Sequence, residues 1–317
     1  MIVLGIDIGG TSIKGAAIKK DGTILDTFSL KMNRNLSQEK IFSLLCETIN
    51  NFLATHKYKE RISGVGLGIP GLLDRKNGII LTSNNMSKWN NFEVVKFIEK
   101  RINLPVKIIN DASAAALGEA RYGSGKDYEN IIMLTLGTGV GGVIVINKKL
   151  YDGLEGTGAQ LGHTLIKING RKCTCGRKGC LEAYASATAL IKDTKKAIRK
   201  HPNSLLKSLA SKYSKVTAEI AFEAAKNGDE VASNLINDYV MYLSEGLLNY
   251  CNIFRPNIIV LSGGIANQGD YLINKIEKYL EEHNYGYKGS PIIPVRQAIL
   301  GYDAGKIGAA SLFFYND

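Results

Sequence analysis

The sequence predicts a mixed α/β fold built from two domains. Its 317 residues exceed the roughly 150 residues that one domain typically holds. Apolar strand-like runs alternate with amphipathic helical segments, which is typical of α/β proteins. Two distant segments, Ile6–Ile18 and Leu134–Ile146, each contain an apolar strand, a Gly/Thr turn and a second apolar strand. We therefore expect two halves built on one plan.

The first half begins with an antiparallel meander. Three strand-like runs separated by glycine-containing turns cover Ile2–Ile8, Ile13–Lys19 and Thr23–Leu30. A helical pattern then runs from Ser37 to Tyr58, with a β-branched strand at Ile62–Ile69. The alternation continues with a helix, a strand and a helix, at Phe92–Arg101, Val106–Ile109 and Ala112–Arg121.

The second half repeats the strands and then becomes mainly helical. Strands are predicted at Ile131–Leu136, Val140–Asn147, near Thr164–Ile168 and at Ile258–Leu261. Helices are predicted at Val231–Phe254, Tyr271–Glu282 and Asp303–Phe314. We expect a smaller domain of residues 1–111 plus 300–317, and a larger domain of residues 112–299.

Composition excludes several classes of protein. Hydrophobic residues make up 45% of the chain and charged residues 22%, which is typical of globular proteins. No apolar run resembles a membrane span or a signal peptide, so we expect a cytoplasmic protein with no membrane partner. The net charge of +11 could favour an anionic partner. Because the positive residues concentrate at 167–178 and 192–215, we interpret them as solvated surface.

One glycine-rich turn combines the groups that bind phosphate. It contains Asp7, Gly9, Gly10, Thr11 and Lys14. Glycines allow backbone N–H groups to face an anion, and a hydroxyl and an ammonium add further donors. Asp7, at the end of a strand, could hold Mg²⁺ through water. Taken alone, the turn could also be an ordinary hairpin.

A second turn repeats this chemistry without the charge. It contains Gly137, Thr138 and Gly139. One such turn in each half would suit a phosphate chain held between domains. A third glycine pair, Gly263 and Gly264, follows a strand and precedes a helix; it could seat an adenosine or be only a tight turn.

Four residues predict a metal site. Cys173, Cys175 and Cys180 lie within eight residues, and His163 lies ten residues upstream. Three thiolates and one imidazole form a set that closes a tetrahedral structural zinc site. The alternatives are a disulfide with one free thiol, or three thiols without a metal.

Two carboxylates are candidates for chemistry on a substrate. Asp111 follows Asn110 at the end of an apolar strand and opens a helix of small residues. It could be a helix N-cap, or a general base that takes a proton from a hydroxyl. Glu182 follows the cysteine cluster and could be positioned by the metal loop, or be a solvated glutamate at a helix start.

These motifs together resemble the ROK family of repressors, uncharacterised reading frames and kinases, within the hexokinase and actin-type ATPase superfamily. The resemblance runs nearly end to end, and the segment from Cys173 to Glu182 is its most specific part. It implies two actin-like (ribonuclease H-like) α/β domains around a central cleft. It also implies ATP-dependent phosphorylation of a hexose at the 6-hydroxyl, with ATP, Mg²⁺ and structural Zn²⁺.

The resemblance also implies roles for particular residues. Asp111 would be the catalytic base, and the sugar would be bound by Gly71, Asn85, Asn110, Asp111, Gln160, His163 and Glu182. His163 would give one ring nitrogen to zinc and the other to the sugar. Trp89 could pack beside the sugar or belong to the core.

One residue departs from the family pattern. Gln160 stands three residues before His163, where family kinases usually have glutamate. Glutamine lacks the charge of a carboxylate that grips sugar hydroxyls, a loss of about 1–2 kcal/mol. Glucose is the expected substrate, with N-acetylmannosamine, allose or a β-glucoside as alternatives.

A sugar-responsive transcriptional regulator is the alternative from another class. The glycine loop starts at residue 7, so we expect no N-terminal helix-turn-helix and no nucleic-acid partner. We expect the chain to form a homodimer or a homotetramer.

Overall fold

A computed structural model of the chain describes residues 1–57, 61–83, 89–285 and 291–315. The strands of the first half are β1 (Ile2–Ile8), β2 (Ser12–Lys19), β3 (Ile24–Lys31), β4 (Ile62–Ile69), β5 (Leu72–Asp74), β6 (Ile79–Thr82), β7 (Asn90–Phe92) and β8 (Val106–Asn110). Those of the second half are β9 (Ile131–Leu136), β10 (Val140–Ile146), β11 (Lys149–Tyr151), β12 (Ile258–Ser262) and β13 (Val295–Gln297).

Ten helices are assigned in the described ranges. The first three and the last are α1 (Gln38–Thr55), α2 (Val94–Ile102), α3 (Asp111–Tyr122) and α10 (Ala304–Ser311). The others are α4 (Glu182–Ala185), α5 (Ala187–Lys200), α6 (Leu205–Lys212), α7 (Ala218–Lys226), α8 (Glu230–Phe254) and α9 (Asp270–His283).

The two five-stranded sheets share one topology. The first has the order β3-β2-β1-β4-β8, in which β1 to β3 are antiparallel and β4 and β8 run parallel to β1. The second has the order β11-β10-β9-β12-β13, in which β12 runs parallel to β9 and β13 parallel to β12. This shared order confirms the predicted plan of two equivalent halves.

Both faces of the first sheet are covered by helices. The alternate residues Ile2, Leu4, Ile6 and Ile8 of β1 pack in one apolar cluster with residues of α1 and α2. Val3, on the opposite face of the strand, packs with residues of α10. Since successive side chains of a strand point to opposite faces, a continuous apolar strand fits a sheet buried on both sides.

The close approach of α10 to α3 depends on glycine. A Cβ added to Gly308 would overlap the Ala114 carbonyl oxygen, and a Cβ added to Gly118 would overlap the Ala304 carbonyl oxygen. The two helices therefore pack backbone to backbone.

The chain divides into two compact units. One contains Met1–Glu129, Val143–Ala159 and Ile299–Asp317, and the other contains Asn130–Gly142 and Gln160–Ala298. The sequence led us to expect a boundary after residue 111. The first unit instead keeps α3, because α3 packs on α10, and it also includes residues 143–159.

Two local predictions differ from the structure, and one small sheet was not predicted. The segment near Thr164–Ile168 is not a strand: only Leu165 forms a bridge, to Cys180, because this segment turns around the cysteine loop. Helix α1 ends at Thr55, since His56 is extended. The small antiparallel sheet β5-β6-β7 was not predicted, because its strands are only three or four residues long.

None of the helices in the described ranges combines the length and the apolar composition that crossing a membrane requires.

Candidate active site

The first glycine loop connects β1 to β2. Gly9 donates its backbone N–H to the Ser12 carbonyl oxygen at 2.9 Å, which closes the turn. Within the part of the chain that the structure describes, the N–H groups of Gly10 and Thr11 and the Thr11 hydroxyl have no hydrogen-bond partner. The loop is therefore a tight hairpin that also presents donors to an anion.

Asp7 lies beside this loop in a partly buried, charged environment. It pairs with Lys14 across the β1–β2 ladder, and a Cβ added to Gly305 of α10 would lie 2.9 Å from its carboxyl carbon. Burial, and after it the charge of Asp111, raises the pKa of Asp7 to about 6, while Lys14 and Lys306 act in the opposite direction. A carboxylate held near a second carboxylate favours a hard cation such as Mg²⁺.

Lys306 is a buried cation that sequence reasoning missed. Its side chain is 8% exposed, and its Nζ atom forms an ion pair with Asp303 Oδ1 at 2.6 Å. Burying an ammonium is costly unless it is paired, so the carboxylates of Asp303 and Asp7 stabilise it. Lys306 belongs to no recognised motif. It is the one charged residue in a helix of small and mostly apolar residues, and its burial becomes visible only in the structure.

Asn110 and Asp111 occupy the junction of β8 and α3. The Asn110 Oδ1 atom accepts hydrogen bonds from the N–H groups of Ala112 and Ser113 at 3.0 and 3.3 Å. Its Nδ2 atom donates to the Gly71 carbonyl oxygen at 3.0 Å. Asn110 is therefore the N-cap of α3, which was the alternative role considered for Asp111.

Asp111 carries a carboxylate that the cap does not require. It is the first residue of α3, and its Oδ1 atom accepts one hydrogen bond, from the Ala112 N–H at 2.9 Å. Burial raises the pKa of Asp111 above its ordinary value, against the effect of the backbone bonds. A desolvated carboxylate is a stronger base, which suits proton abstraction from a hydroxyl.

The structure describes Gly71 and Trp89, two further residues considered for the sugar site, but not Asn85. Gly71 has a φ of +130°, and a Cβ there would overlap the Thr82 carbonyl oxygen, so this position requires glycine. Asn85 lies outside the described residues. Trp89 is 2% exposed, with its ring centroid 5.1 Å from that of Phe42, so it belongs to the core.

The second glycine loop connects β9 to β10. Gly137 donates its N–H to the Gly139 carbonyl oxygen at 3.0 Å. The start of α5 holds the loop from outside, because the Ala187 N–H donates to the Gly137 carbonyl oxygen at 2.8 Å and the Thr188 hydroxyl to that of Thr138 at 2.7 Å. The loop conformation thus depends on the helix that follows the cysteine cluster.

Glu182 joins this glycine loop to the cysteine loop. Its Oε1 atom accepts a hydrogen bond from the Thr174 hydroxyl at 2.6 Å, and its Oε2 atom accepts one from the Val140 N–H at 3.1 Å. A Cβ added to Gly139 would overlap Oε2. The carboxylate is therefore held at both oxygens, rather than solvated at the start of a helix.

The residues His163, Cys173, Cys175 and Cys180 converge in the second unit. Their candidate donor atoms all lie within 4.8 Å of one another. The sulfurs of Cys175 and Cys180 are 3.7 Å apart, too far for the ~2.05 Å of a disulfide, and all three cysteines are free. His163 turns its Nδ1 atom towards Cys173 Sγ at 3.5 Å, which leaves Nε2 for another partner.

These distances fit one tetrahedral ion. Zinc binds sulfur at about 2.3 Å and imidazole nitrogen at about 2.0–2.1 Å, so two sulfurs would be about 3.8 Å apart and a sulfur and a nitrogen about 3.5 Å apart. Glycines at positive φ, Gly176 and Gly179, let the loop curl around this point.

Gln160 precedes a 3-10 turn, Leu161–His163, that Tyr250 of α8 holds in place. The Tyr250 hydroxyl donates to the Leu161 carbonyl oxygen at 2.5 Å and lies 2.8 Å from the Thr164 hydroxyl. Burial raises the pKa of Tyr250 to about 12, so the hydroxyl keeps its proton. Sequence reasoning missed Tyr250, because an aromatic residue in an apolar helix is typical of the hydrophobic core.

The third glycine pair forms a tight turn after β12. Gly263 has a φ of +88°, and a Cβ there would lie 2.5 Å from the Leu136 carbonyl oxygen. Gly264 begins a 3-10 turn that ends at Gln268, and α9 follows from Asp270. A nucleotide role for this pair remains a prediction.

The fold is that of two-domain, actin-like α/β proteins. The ROK glucokinase of Streptomyces griseus, solved with glucose and AMPPNP, is 32% identical with a TM-score of 0.76, covering 98% of this chain and 99% of that chain. The ROK hexokinase of Thermus thermophilus is 29% identical with a TM-score of 0.77, covering 98% and 97%.

The ROK family model matches residues 3–315, and the chain belongs to this family. A glucokinase of Thermotoga maritima is 34% identical over 98% of this chain and 96% of that protein. A xylose repressor of Bacillus spizizenii is 32% identical over 98% of this chain and 76% of that protein.

Replacing Asp7 by asparagine should stabilise the protein at neutral pH. The pKa of Asp7 rises from 3.8 to about 6 on folding, so the folded state holds more protons between these values, and the stability of the natural protein falls as pH rises through 6. Asp7→Asn removes this cost, a gain of about 2–3 kcal/mol above pH 7 that disappears near pH 4. Urea unfolding in magnesium-free buffer measures it; a gain of equal size at both pH values would contradict the assignment.

Proposed function

We propose that this chain is an ATP-dependent hexose kinase that transfers the γ-phosphoryl group of ATP to the 6-hydroxyl of glucose. The observation that carries this proposal is Asp111, a partly buried carboxylate that its helix does not need as a cap and whose pKa is raised by burial. The glucokinase relatives, which align over nearly the whole chain, support the same activity.

In this proposal Asp111 accepts the proton of the attacking 6-hydroxyl as its oxygen bonds to the γ-phosphorus, and the bond from that phosphorus to the bridging oxygen breaks to release ADP. A base of this kind typically contributes a factor of roughly 10²–10⁴ to the rate. The bond that Oδ1 accepts from the Ala112 N–H orients the carboxylate. Asn110, bonded to Gly71, keeps the base at the start of α3.

Sugar recognition would use Gly71, Asn85, Asn110, Gln160, His163 and Glu182, the residues that the family resemblance implies. The Oε1 atom of Glu182 accepts hydrogen bonds from Thr174 and Cys173, whereas Oε2 accepts only the one from Val140 within the described residues and has a further lone pair for a sugar hydroxyl.

His163, Cys173, Cys175 and Cys180 would hold a structural zinc ion. The donor set and the distances between its atoms fit this ion. When bound, the ion fixes the loop and the ring of His163. With Nδ1 turned towards the thiols, Nε2 carries the proton and can donate to a sugar hydroxyl.

The glycine loops would bind the phosphate chain of ATP. Gly9, Gly10, Thr11 and Lys14 of the first loop and Gly137, Thr138 and Gly139 of the second would supply donors, with Gly263 and Gly264 beside the adenosine. Asp7 would hold Mg²⁺ through water, and this ion would neutralise charge on the phosphates when bound. Transfer needs no covalent enzyme intermediate, only position and charge.

A cytoplasmic location and a homodimer or homotetramer belong to the same proposal. Size-exclusion chromatography with light scattering measures the oligomeric state.

The activity is tested by ADP release over a panel of sugars. Glucose should give the highest kcat/KM among glucose, N-acetylmannosamine, allose and a β-glucoside, and one zinc ion per chain should be found in the same sample. The proposal fails if no sugar stimulates ADP release, or if the protein instead binds a specific DNA in a gel-shift assay.

Asp111→Asn should lower kcat by roughly 10²–10⁴-fold while sugar still binds, because the amide keeps the shape of the side chain but cannot take a proton. Coupled kinetics and direct glucose titration measure the two effects separately. Asp21→Asn, at the exposed turn after β2, is the matched control. Unchanged turnover in Asp111→Asn would remove this residue from the mechanism.

Gln160→Glu should tighten glucose binding by roughly 5- to 30-fold, since a carboxylate accepts stronger hydrogen bonds from hydroxyls than an amide does. The KM for ATP serves as the internal control and should not move. Weaker or unchanged glucose binding would show that the pocket is built for another sugar.

A further inference from the structure

The first glycine loop has a cationic neighbour that the proposed function does not use. Arg34 lies just beyond β3, and its Nε atom donates to the Gly10 carbonyl oxygen at 2.6 Å. A Cβ added to Gly10 would overlap the guanidinium group. The planar end of Arg34 therefore lies directly against the backbone of the loop.

Local structure fixes Arg34 at this point. Past β3, the Met32 N–H donates to the Thr11 carbonyl oxygen at 3.0 Å, which ties this strand to the loop. Met32 is 7% exposed and anchors the segment in the core. A turn follows, closed by the Leu36 N–H on the Asn33 carbonyl oxygen at 3.2 Å, and Arg34 stands inside this turn. The backbone therefore places Arg34 beside the loop, and the bond from Nε to the Gly10 carbonyl oxygen orients its exposed side chain.

The charge of Arg34 is not compensated nearby. In residues 1–57, 61–83, 89–285 and 291–315, Arg34 forms no ion pair, and its only hydrogen bond is the one to Gly10. Lys14, the other cation of the loop, differs, since its charge acts on Asp7 and lowers the pKa of that carboxyl, and its Nζ atom lies 5.0 Å from the Tyr302 ring centroid. Arg34 thus keeps four N–H donors beside the free donors of Gly10 and Thr11.

We propose that Arg34 binds the terminal phosphate of the phosphoryl donor at this loop. This inference rests on the proposed function and deepens it. A guanidinium presents paired N–H donors that match two oxygens of one phosphate, and Nε remains bonded to Gly10. The ligand class is a nucleoside triphosphate or another polyphosphate, and a monophosphate lacks the group that Arg34 would contact.

Direct binding tests this proposal without turnover. AMPPNP and AMP are titrated into the full chain by calorimetry, with magnesium and without sugar. Arg34→Ala should weaken AMPPNP binding by about 10-fold or more and leave AMP binding unchanged. Inorganic triphosphate, used as a competitor, should likewise lose affinity for this variant.

Three variants separate phosphate binding from support of the loop. Arg34→Lys keeps the charge and should retain more AMPPNP affinity than Arg34→Gln, which keeps only a neutral donor. Lys19→Ala removes a positive charge from the far end of β2 and should bind AMPPNP as the natural protein does. If Arg34→Ala does not fold, as judged by thermal unfolding, the lysine and glutamine variants decide the question.

The proposal is overturned if Arg34→Ala binds AMPPNP as tightly as the natural protein, if AMP binding weakens to the same degree, or if the lysine and glutamine variants behave alike. These failures differ from a failure of the proposed function. A natural protein that binds AMPPNP but phosphorylates no sugar would refute the kinase activity alone.

Discussion

The packing of α10 on the first sheet is the constraint on which the catalytic half of the candidate site depends. Gly5 of β1 and Gly66 of β4 have no side chains, so the Lys306 and Ala309 carbonyls of α10 lie against the strands where any Cβ would overlap them. This approach brings Gly305 against the Asp7 carboxylate and places Lys306 near it. A bulkier residue at either strand position would push the helix away and change the charge around Asp7.

This constraint links the stability of the protein to its chemistry. Asp7 and Asp111 are both removed from water, and both carboxylates have raised pKa values as a result. Two partly desolvated acids are unfavourable for folding at neutral pH, but in the proposed function they would supply a cation ligand and a base in one place. Lys306 and Lys14 limit the cost, because each favours the ionised form of Asp7.

In the second unit, the Glu182 carboxylate has the corresponding organising role. It accepts hydrogen bonds from Thr174 of the cysteine loop and from Val140 after the glycine loop. A change in either loop would therefore reach the other through one side chain. We expect a metal ion at this site to influence the glycine loop by this route, since the same short loop carries three candidate metal ligands and Thr174.

Much of the fold could be predicted because it follows from periodicity. Strands such as Ile62–Ile69 and Ile131–Leu136 have the predicted bounds, since continuous β-branched and apolar residues mark strands buried on both faces. The four metal-ligand candidates could also be found, because three of them lie within eight residues. Clustering of metal-binding residue types within a short segment is visible in the sequence without any knowledge of the fold.

The remainder depends on contacts distant in sequence, which local patterns do not encode. Asp111 was a possible N-cap on paper, whereas in the structure Asn110 caps α3 through its Oδ1 atom and is bonded to Gly71, 39 positions away. In the sequence, Lys306 and Arg34 are charged residues that belong to no motif. In the structure, α10 packs against β1 and brings Lys306 near Asp7, and the chain beyond β3 passes the first glycine loop and brings Arg34 to Gly10.

The most direct test of the account is the product formed from glucose and ATP. Purified protein is incubated with ¹³C-labelled glucose, ATP and Mg²⁺, and the products are followed by ¹³C and ³¹P NMR. The account predicts glucose 6-phosphate and ADP in equal amounts. Phosphate on another carbon, or ATP hydrolysis without a phosphorylated sugar, would contradict it.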